Sequence, residues 1–347
     1  MKTYEWGVIG AGPAGIAAIG QLIDRGITPQ SIAWIDPTFT VGDFGTKWRE
    51  VPSNTRVGLF LDYLEACRSF DYSHIKTQFE LQRLDPNQTC FLRVMGEVLQ
   101  WVTEKLIQKV TPIKDTVKYL ALKNNTWQVA LSNIDVSAKN IILATGAEPK
   151  SLPHATVKTI PLDIALNPKI LSHHCDETDT IAVFASSHSA ILAIRNLLET
   201  TNTQKIINFY LQPLRYAVYL NNNEILFDDT GLKGTTAEWA RENLHGNCPN
   251  KLERIYASPE NVKQYLSQCT KAIYAIGFKR RDIEIRGVGE VEYNSHNGII
   301  APGLFGLGIA FPQEKTDRFG NKEYRVGLWK FMDYLTQVMP IWIKYSL

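Results

Sequence analysis

The chain has 347 residues, 44% hydrophobic and 21% charged, with 37 Lys and Arg against 35 Asp and Glu. That is the composition of a soluble globular protein of about two domains. A net charge of +2 with no basic run excludes a field that draws nucleic acid. The five cysteines (Cys67, Cys90, Cys175, Cys248, Cys269) include no CxxC pair, which excludes a disulfide framework and a redox dithiol. The opening MKTYEWGVIGAG lacks an apolar leader with a cleavage site. The apolar stretch 326–347 is interrupted by Lys330, Asp333, Pro340 and Lys344, so it reads as a packed helix. The expectation is a cytoplasmic protein with no membrane span and no nucleic-acid partner.

Residues 6–36 form one unit. Val8-Ile9 ends a buried strand and leads into Gly10-Ala11-Gly12-Pro13-Ala14-Gly15. A helix follows with Ile16, Ile19 and Ile23 on one face and Gly26 as its stop. A second strand, 31–35, ends in Asp36, 26 positions after the first glycine. Gly10 permits the tight turn, Gly12 lets a pyrophosphate approach the backbone, and Gly15 lets the helix pack on the strand. The helix N-terminus offers unpaired N–H groups and a positive dipole end, and Pro13 suits its first turn. Asp36 can accept hydrogen bonds from a ribose diol. A strand before, a helix after and an acid at this distance make the motif a dinucleotide site.

The spacing from 91 to 110 predicts a helix. Strands at 117–123, 126–131 and 135–143, with a turn at Asn124-Asn125, form an antiparallel meander. The last strand enters Ala144-Thr145-Gly146-Ala147-Glu148-Pro149, where small residues let the backbone approach a cofactor.

In this order, GAGPAG, the meander and ATGAEP resemble the FAD- and NAD(P)-dependent flavoproteins with two dinucleotide-binding domains. The resemblance implies that FAD occupies the first site, with Pro37 beside Asp36 and Val117 of the meander on its adenine side. The stretch 42–64 is similar to the flavin-containing monooxygenases, which carry a Trp near the flavin, a V-x-S/T-N-T segment and an aromatic-x-Asp. Here these are Trp48, Val51, Ser53, Asn54, Thr55, Phe60 and Asp62. The resemblance places Asn54 over the flavin as the catalytic candidate; an Asx-turn Asn is the alternative.

The strand–turn–helix–strand unit returns at 181–210, its motif starting at Ala185, 175 positions after Gly10. Ala185, Ser187 and Ala190 stand in the glycine places. Ser186, Ser187 and Ser189 can donate to phosphate, and His188 sits at the helix entry as a capping or phosphate-contact group. The site either holds NAD(P) in an altered way or is vestigial. No acid ends the second strand, and Arg215 can meet a 2′-phosphate, which favours NADPH over NADH.

From 221 to 259 the chain is polar. Asp228-Asp229 is too sparse for a metal cage, and His173-His174-Cys175-Asp176 cannot converge on one ion, so no metal is expected. Thr235-x-x-Glu238 matches a capping box. A strand at 270–276 closes the second unit on Gly277-Phe278, and the chain returns to the first. Residues 302–309 resemble the family's last FAD-contacting strand, with backbone N–H groups near Gly308 and Ile309 reaching the flavin; Ile309 replaces the usual Asp. A helix at 326–341 packs behind it. The F-x-G-x-x-x-H fingerprint of the monooxygenases is absent.

The expected architecture is α/β: two Rossmann-like three-layer domains, the second inserted in the first, with a small antiparallel β-meander. The FAD domain spans 1–153 plus 271–347 and the NAD(P)-binding-like domain 154–270. The expected function is an FAD-dependent oxidoreductase taking hydride from NADPH or NADH, of monooxygenase type, oxygenating a small N or S nucleophile. The alternatives are a reductase of a quinone or small acceptor, and a non-catalytic FAD-binding protein with a vestigial second site. The partner is a small-molecule substrate, with room for a homodimer.

Overall fold

A computed structural model describes residues 2–153, 157–220, 225–246, 248–317 and 319–347. Two sheets organise it. The first contains β1 (Thr3–Ile9), β2 (Ile32–Ile35), β3 (Thr111–Ile113), β4 (Val117–Lys123), β5 (Thr126–Leu131) and β6 (Val136–Leu143). The second contains β7 (Lys158–Thr159), β8 (Thr180–Phe184), β9 (Lys205–Tyr210), β10 (Leu252–Tyr256) and β11 (Lys271–Tyr274). The chain then adds β12 (Glu284–Arg286) and β13 (Leu304–Gly306) to the first sheet. Its order is β12-β4-β5-β6-β1-β2-β3, with β13 parallel to the last half of β6 and Ile299–Ala301 paired on β13. The second sheet runs β7-β11-β8-β9-β10, all parallel. The start of the polar insert, 221–224, and the inter-unit position 154 lie outside the described residues.

Buried residues on alternate faces of the strands explain both sheets. In β6, Ile142 faces the helical side while Ile141 and Leu143 face the meander side. In β8, Ile181 and Val183 join one core and Ala182 and Phe184 the other. Strands buried on both faces read as continuous apolar runs and accept parallel pairing under helices. The main helices are α1 (Pro13–Asp24), α2 (Leu92–Leu106), α3 (His188–Thr200), α4 (Gly234–Leu244) and α5 (Leu328–Lys344). α1 ends at Asp24, and Gly26 turns the chain at φ +88°.

Three local expectations change. The α4 capping box does not form, because the helix starts at Gly234 with Lys233 as an N-cap that makes no side-chain capping bond. Gly234 opens the helix at φ +54°, and a Cβ there would lie 3.1 Å from Thr89 Cγ2. The strand of 270–276 is shorter, Lys271–Tyr274. The last helix runs through Pro340 to Lys344 rather than ending at 341. Pro340 has no N–H for the Thr336 carbonyl, and Arg25 Nη2 donates to that oxygen instead at 3.1 Å. No helix of the described residues is long and apolar enough to cross a membrane.

Candidate functional site

At the C-terminal ends of β1 and β2 the GAGPAG turn is held from inside. Gly10 N–H donates to the Ile35 carbonyl at 2.8 Å, and Trp34 Nε1 donates to the Gly10 carbonyl at 3.0 Å. Gly10 has φ +108°, and a Cβ there would lie 2.3 Å from the Ala144 carbonyl oxygen. A Cβ on Gly15 would lie 1.9 Å from the Gly10 carbonyl oxygen. Both glycines are demanded by the protein's own packing. Gly12 is different: its φ of −76° and ψ of 179° suit any residue, and the nearest atom to an added Cβ is the Val41 carbonyl oxygen at 3.9 Å. The space over Gly12 is left open, as the approach of a pyrophosphate to a helix N-terminus requires.

Asp36 is buried and organises the loop that follows. Its Oδ1 accepts from Thr38 N–H and Phe39 N–H, each at 2.8 Å, and its Oδ2 accepts from Ala11 N–H at 2.8 Å. One acceptor position on Oδ2 remains for a ribose hydroxyl. Pro37 is exposed beside it. Val117 opens β4, four residues after Ile113, whose carbonyl accepts from Asp36 N–H at 3.1 Å. Gly308, at φ +84°, meets α1: a Cβ there would lie 2.7 Å from Ala14 Cβ. Ile309 follows in a one-turn helix, Gly308–Ala310. Thr145 Oγ1 donates to the Arg281 carbonyl at 3.0 Å, and Gly146, at φ +72°, lies under the Arg281 guanidinium, which pairs with Asp43 at 2.5 Å. The structure therefore gathers Gly10, Gly12, Pro13, Ala14, Gly15, Asp36 and Gly308 around one helix end.

Trp48 is half-buried and stands edge-on to Phe278 at 6.1 Å, against the core of the second sheet. Asn54 is exposed on the strand Pro52–Arg56, and its Oδ1 accepts from Thr55 Oγ1 at 3.3 Å. The local turn is made by Ser53, whose Oγ accepts from Thr55 N–H at 2.7 Å, so Asn54 is not the turn-forming residue.

The second turn repeats the first. Ala185 N–H donates to the Phe209 carbonyl at 2.8 Å, as Gly10 does to Ile35. Ala185 has φ +97°, the left-handed region that glycine occupies at position 10. Ser187, with φ −83° and ψ −178°, reproduces the backbone of Gly12 and is exposed. Ser186 Oγ donates to the Gln212 carbonyl at 2.7 Å. Ser189 opens the first turn of α3. His188, expected as a capping or phosphate-contact group, faces α4, where its Nε2 lies 3.4 Å from Thr236 Oγ1. Burial and the neighbouring Lys233 ammonium push its pKa down to about 4, so it carries no cation for a phosphate at neutral pH.

That shift has a consequence for stability. The unfolded histidine protonates near 6.5 and the folded one near 4, so the unfolded chain binds the extra proton between them. Stability is complete above pH 6.5 and falls by up to about 3 kcal/mol as the pH drops to 4. His188→Gln should flatten this slope in urea titrations at pH 7 and pH 4.5. Parallel slopes in both proteins would refute the assignment.

Arg215 lies over the Phe227 ring at 4.6 Å. The insert uses Asp228 as an ion-pair hub rather than a metal ligand. Its carboxylate pairs with buried Lys233 and with Lys330 of α5 at 2.6 Å, and its N–H donates to Glu323 at 2.9 Å. Two ammonium groups hold the Asp228 carboxyl below the usual range against the opposing effect of burial. Sequence reasoning missed this hub, and it missed Arg254, because neither carries a motif. All five cysteines are free.

A curated relative decides the family. Monooxygenase AgnR1 of Paecilomyces divaricatus is 34% identical over 382 residues, covering 97% of each chain. The chain belongs to the flavin-containing monooxygenase-like oxidoreductases. Its fold is similar to that of two solved proteins. The ornithine N-hydroxylase KtzI of Kutzneria sp. 744, a structure with reduced FAD, NADP+ and L-ornithine, has a TM-score of 0.66 at 13% identity, covering 99% of each chain. L-lysine 6-monooxygenase of Pseudomonas syringae has a TM-score of 0.66 at 12% identity, covering 99% of each chain. No protein-family model matches the chain. Membership agrees with the α/β architecture.

Proposed function

We propose that this flavoprotein binds FAD at the first turn and NADPH at the second, and oxygenates a small nucleophilic substrate at nitrogen or sulfur. In this reading 1–153 plus 275–347 form the FAD unit and 154–274 the nicotinamide unit, the boundary moving from 270 because Lys271–Tyr274 pairs inside the second sheet, and the protein works in the cytoplasm. One observation carries it. The second turn keeps the backbone of the first although Ala185 must occupy the left-handed region to do so, at a cost of about 1–2 kcal/mol. A vestigial site has no reason to hold that strain.

Bound FAD would supply the ring that accepts hydride and reacts with oxygen. The chain's own residues do the rest. The α1 N-terminus and the open face of Gly12 hold the pyrophosphate, Asp36 the ribose, Val117 the adenine side, and the turns at Thr145-Gly146 and Gly308-Ile309 the flavin end. Ser187 and Ser189 meet the second pyrophosphate, with Ser187 Oγ free to donate, while Ser186 Oγ holds the Gln212 carbonyl. Trp48, edge-on to Phe278, would shield the bound cofactors from water. Asn54 presents an amide that can donate or accept to the substrate heteroatom.

The test is anaerobic. FAD-loaded protein mixed with NADPH should lose its flavin band near about 450 nm within seconds. Readmitted air with amines and sulfides should then give an oxygenated product. Hydrogen peroxide alone would favour a quinone or acceptor reductase, and a band unchanged by NADPH and NADH would contradict the enzyme reading.

A further inference from the structure

The end of β9 matches the end of β2 in register, and its charge is reversed. Val8 pairs with Trp34 in the first unit and Val183 with Asn208 in the second, so Tyr210 stands where Asp36 stands. Asp36 offers a carboxylate to a ribose diol. Tyr210 offers none. Beside it, Arg254 of β10, directly opposite Asn208, lies over the Tyr210 ring at 5.0 Å. Arg254 Nε donates to Asn208 Oδ1 at 3.0 Å. Arg254 Nη2 is buried with no hydrogen-bond partner, and among the described residues no ion pair joins this guanidinium to a carboxylate. A buried charged donor without a partner is unfavourable, and an incoming anion relieves it.

We infer that Arg254 reads the 2′-phosphate of the dinucleotide and makes this chain selective for NADPH over NADH. The inference rests on the nicotinamide site proposed above and names the residue that discriminates within it. Arg215 lies over Phe227, and the inference assigns the phosphate to Arg254 instead. Asn208 is the positioning residue. It is fully buried, and its Nδ2 donates to the Val183 and Ala185 carbonyls at 3.0 and 2.7 Å while its Oδ1 accepts from Arg254. One amide thus fixes the arginine to the strained turn that faces the pyrophosphate. A planar fork held by its Nε with a free Nη2 suits phosphate recognition.

The experiment measures binding, not turnover. FAD-loaded protein is titrated with NADP+, NAD+, adenosine 2′,5′-bisphosphate and 5′-AMP. The wild type should prefer each 2′-phosphorylated ligand by roughly 100-fold. Arg254→Met keeps the apolar stem and should reduce the preference to a few-fold, with NAD+ affinity unchanged. Arg254→Lys should fall between, and covers the case of a poorly folding Met variant. Arg215→Met should keep the preference. A wild type that binds NAD+ as tightly as NADP+, or an Arg254→Met protein that retains the preference, would overturn the inference alone if NADH or NADPH still bleaches the flavin. Failure of every nucleotide to bind and to bleach would overturn both readings.

Discussion

Gly12→Asp should leave the fold intact and abolish FAD retention. The two halves of that expectation have separate causes. An added Cβ at Gly12 has 3.9 Å to its nearest neighbour, and the backbone there suits any residue. Gly12 is also the N-cap of α1, a position where Asp is favourable to the helix. The flavin-free variant should therefore melt at or above the wild-type flavin-free temperature. The same carboxylate would stand where two phosphates must approach, and like charges in that contact cost several kcal/mol, a loss of about 100-fold or more in affinity. Gly12→Ala, which adds bulk without charge, should weaken FAD less. A Gly12→Asp protein that purifies yellow with bound FAD would contradict the placement of the pyrophosphate.

Gly15→Ala should do the opposite, damaging the fold before any ligand is considered. Its Cβ would lie 1.9 Å from the Gly10 carbonyl oxygen, the same oxygen that accepts from Trp34 Nε1. Helix and strand must separate to admit it, at a cost of roughly 3 kcal/mol or more. Thermal melts of the flavin-free proteins should show Gly15→Ala several degrees below both wild type and Gly12→Asp. The second unit carries Ala190 at this place, fully buried, so its turn accommodates a Cβ there. A Gly15→Ala protein as stable as wild type would show that the first turn has the same slack.

The contrast between these two glycines marks how far sequence reasoning reaches. The motif itself, the strand order around it and the meander were legible because each rests on local period and turn chemistry. The repeat at 185 was legible as a pattern, but its meaning was not. Only the structure shows that Ala185 adopts φ +97° and that Ser187 copies the Gly12 backbone. His188 looked like a phosphate contact from its position, and its ring instead turns under α4. Arg215 was chosen because it follows the strand in sequence. Arg254 lies some forty residues further along and reaches Tyr210 only through strand pairing across β9 and β10. Likewise Asp228, Lys233 and Lys330 meet because an insert loop folds onto the last helix. Side chains brought together by tertiary pairing leave no spacing to read. The Thr235–Glu238 capping box failed because the helix begins one residue earlier, at Gly234, which leaves Thr235 inside its first turn.

The claim on which the rest depends is that the electropositive end of α1 holds the phosphates of FAD. Titrating flavin-free protein with FAD and following the quenching of flavin fluorescence tests it most directly. The account predicts saturation at one FAD per chain, lost in Gly12→Asp and retained in Ser187→Asp, which alters only the second turn. Failure of the wild type to take up FAD, or equal loss of uptake in both variants, would contradict it.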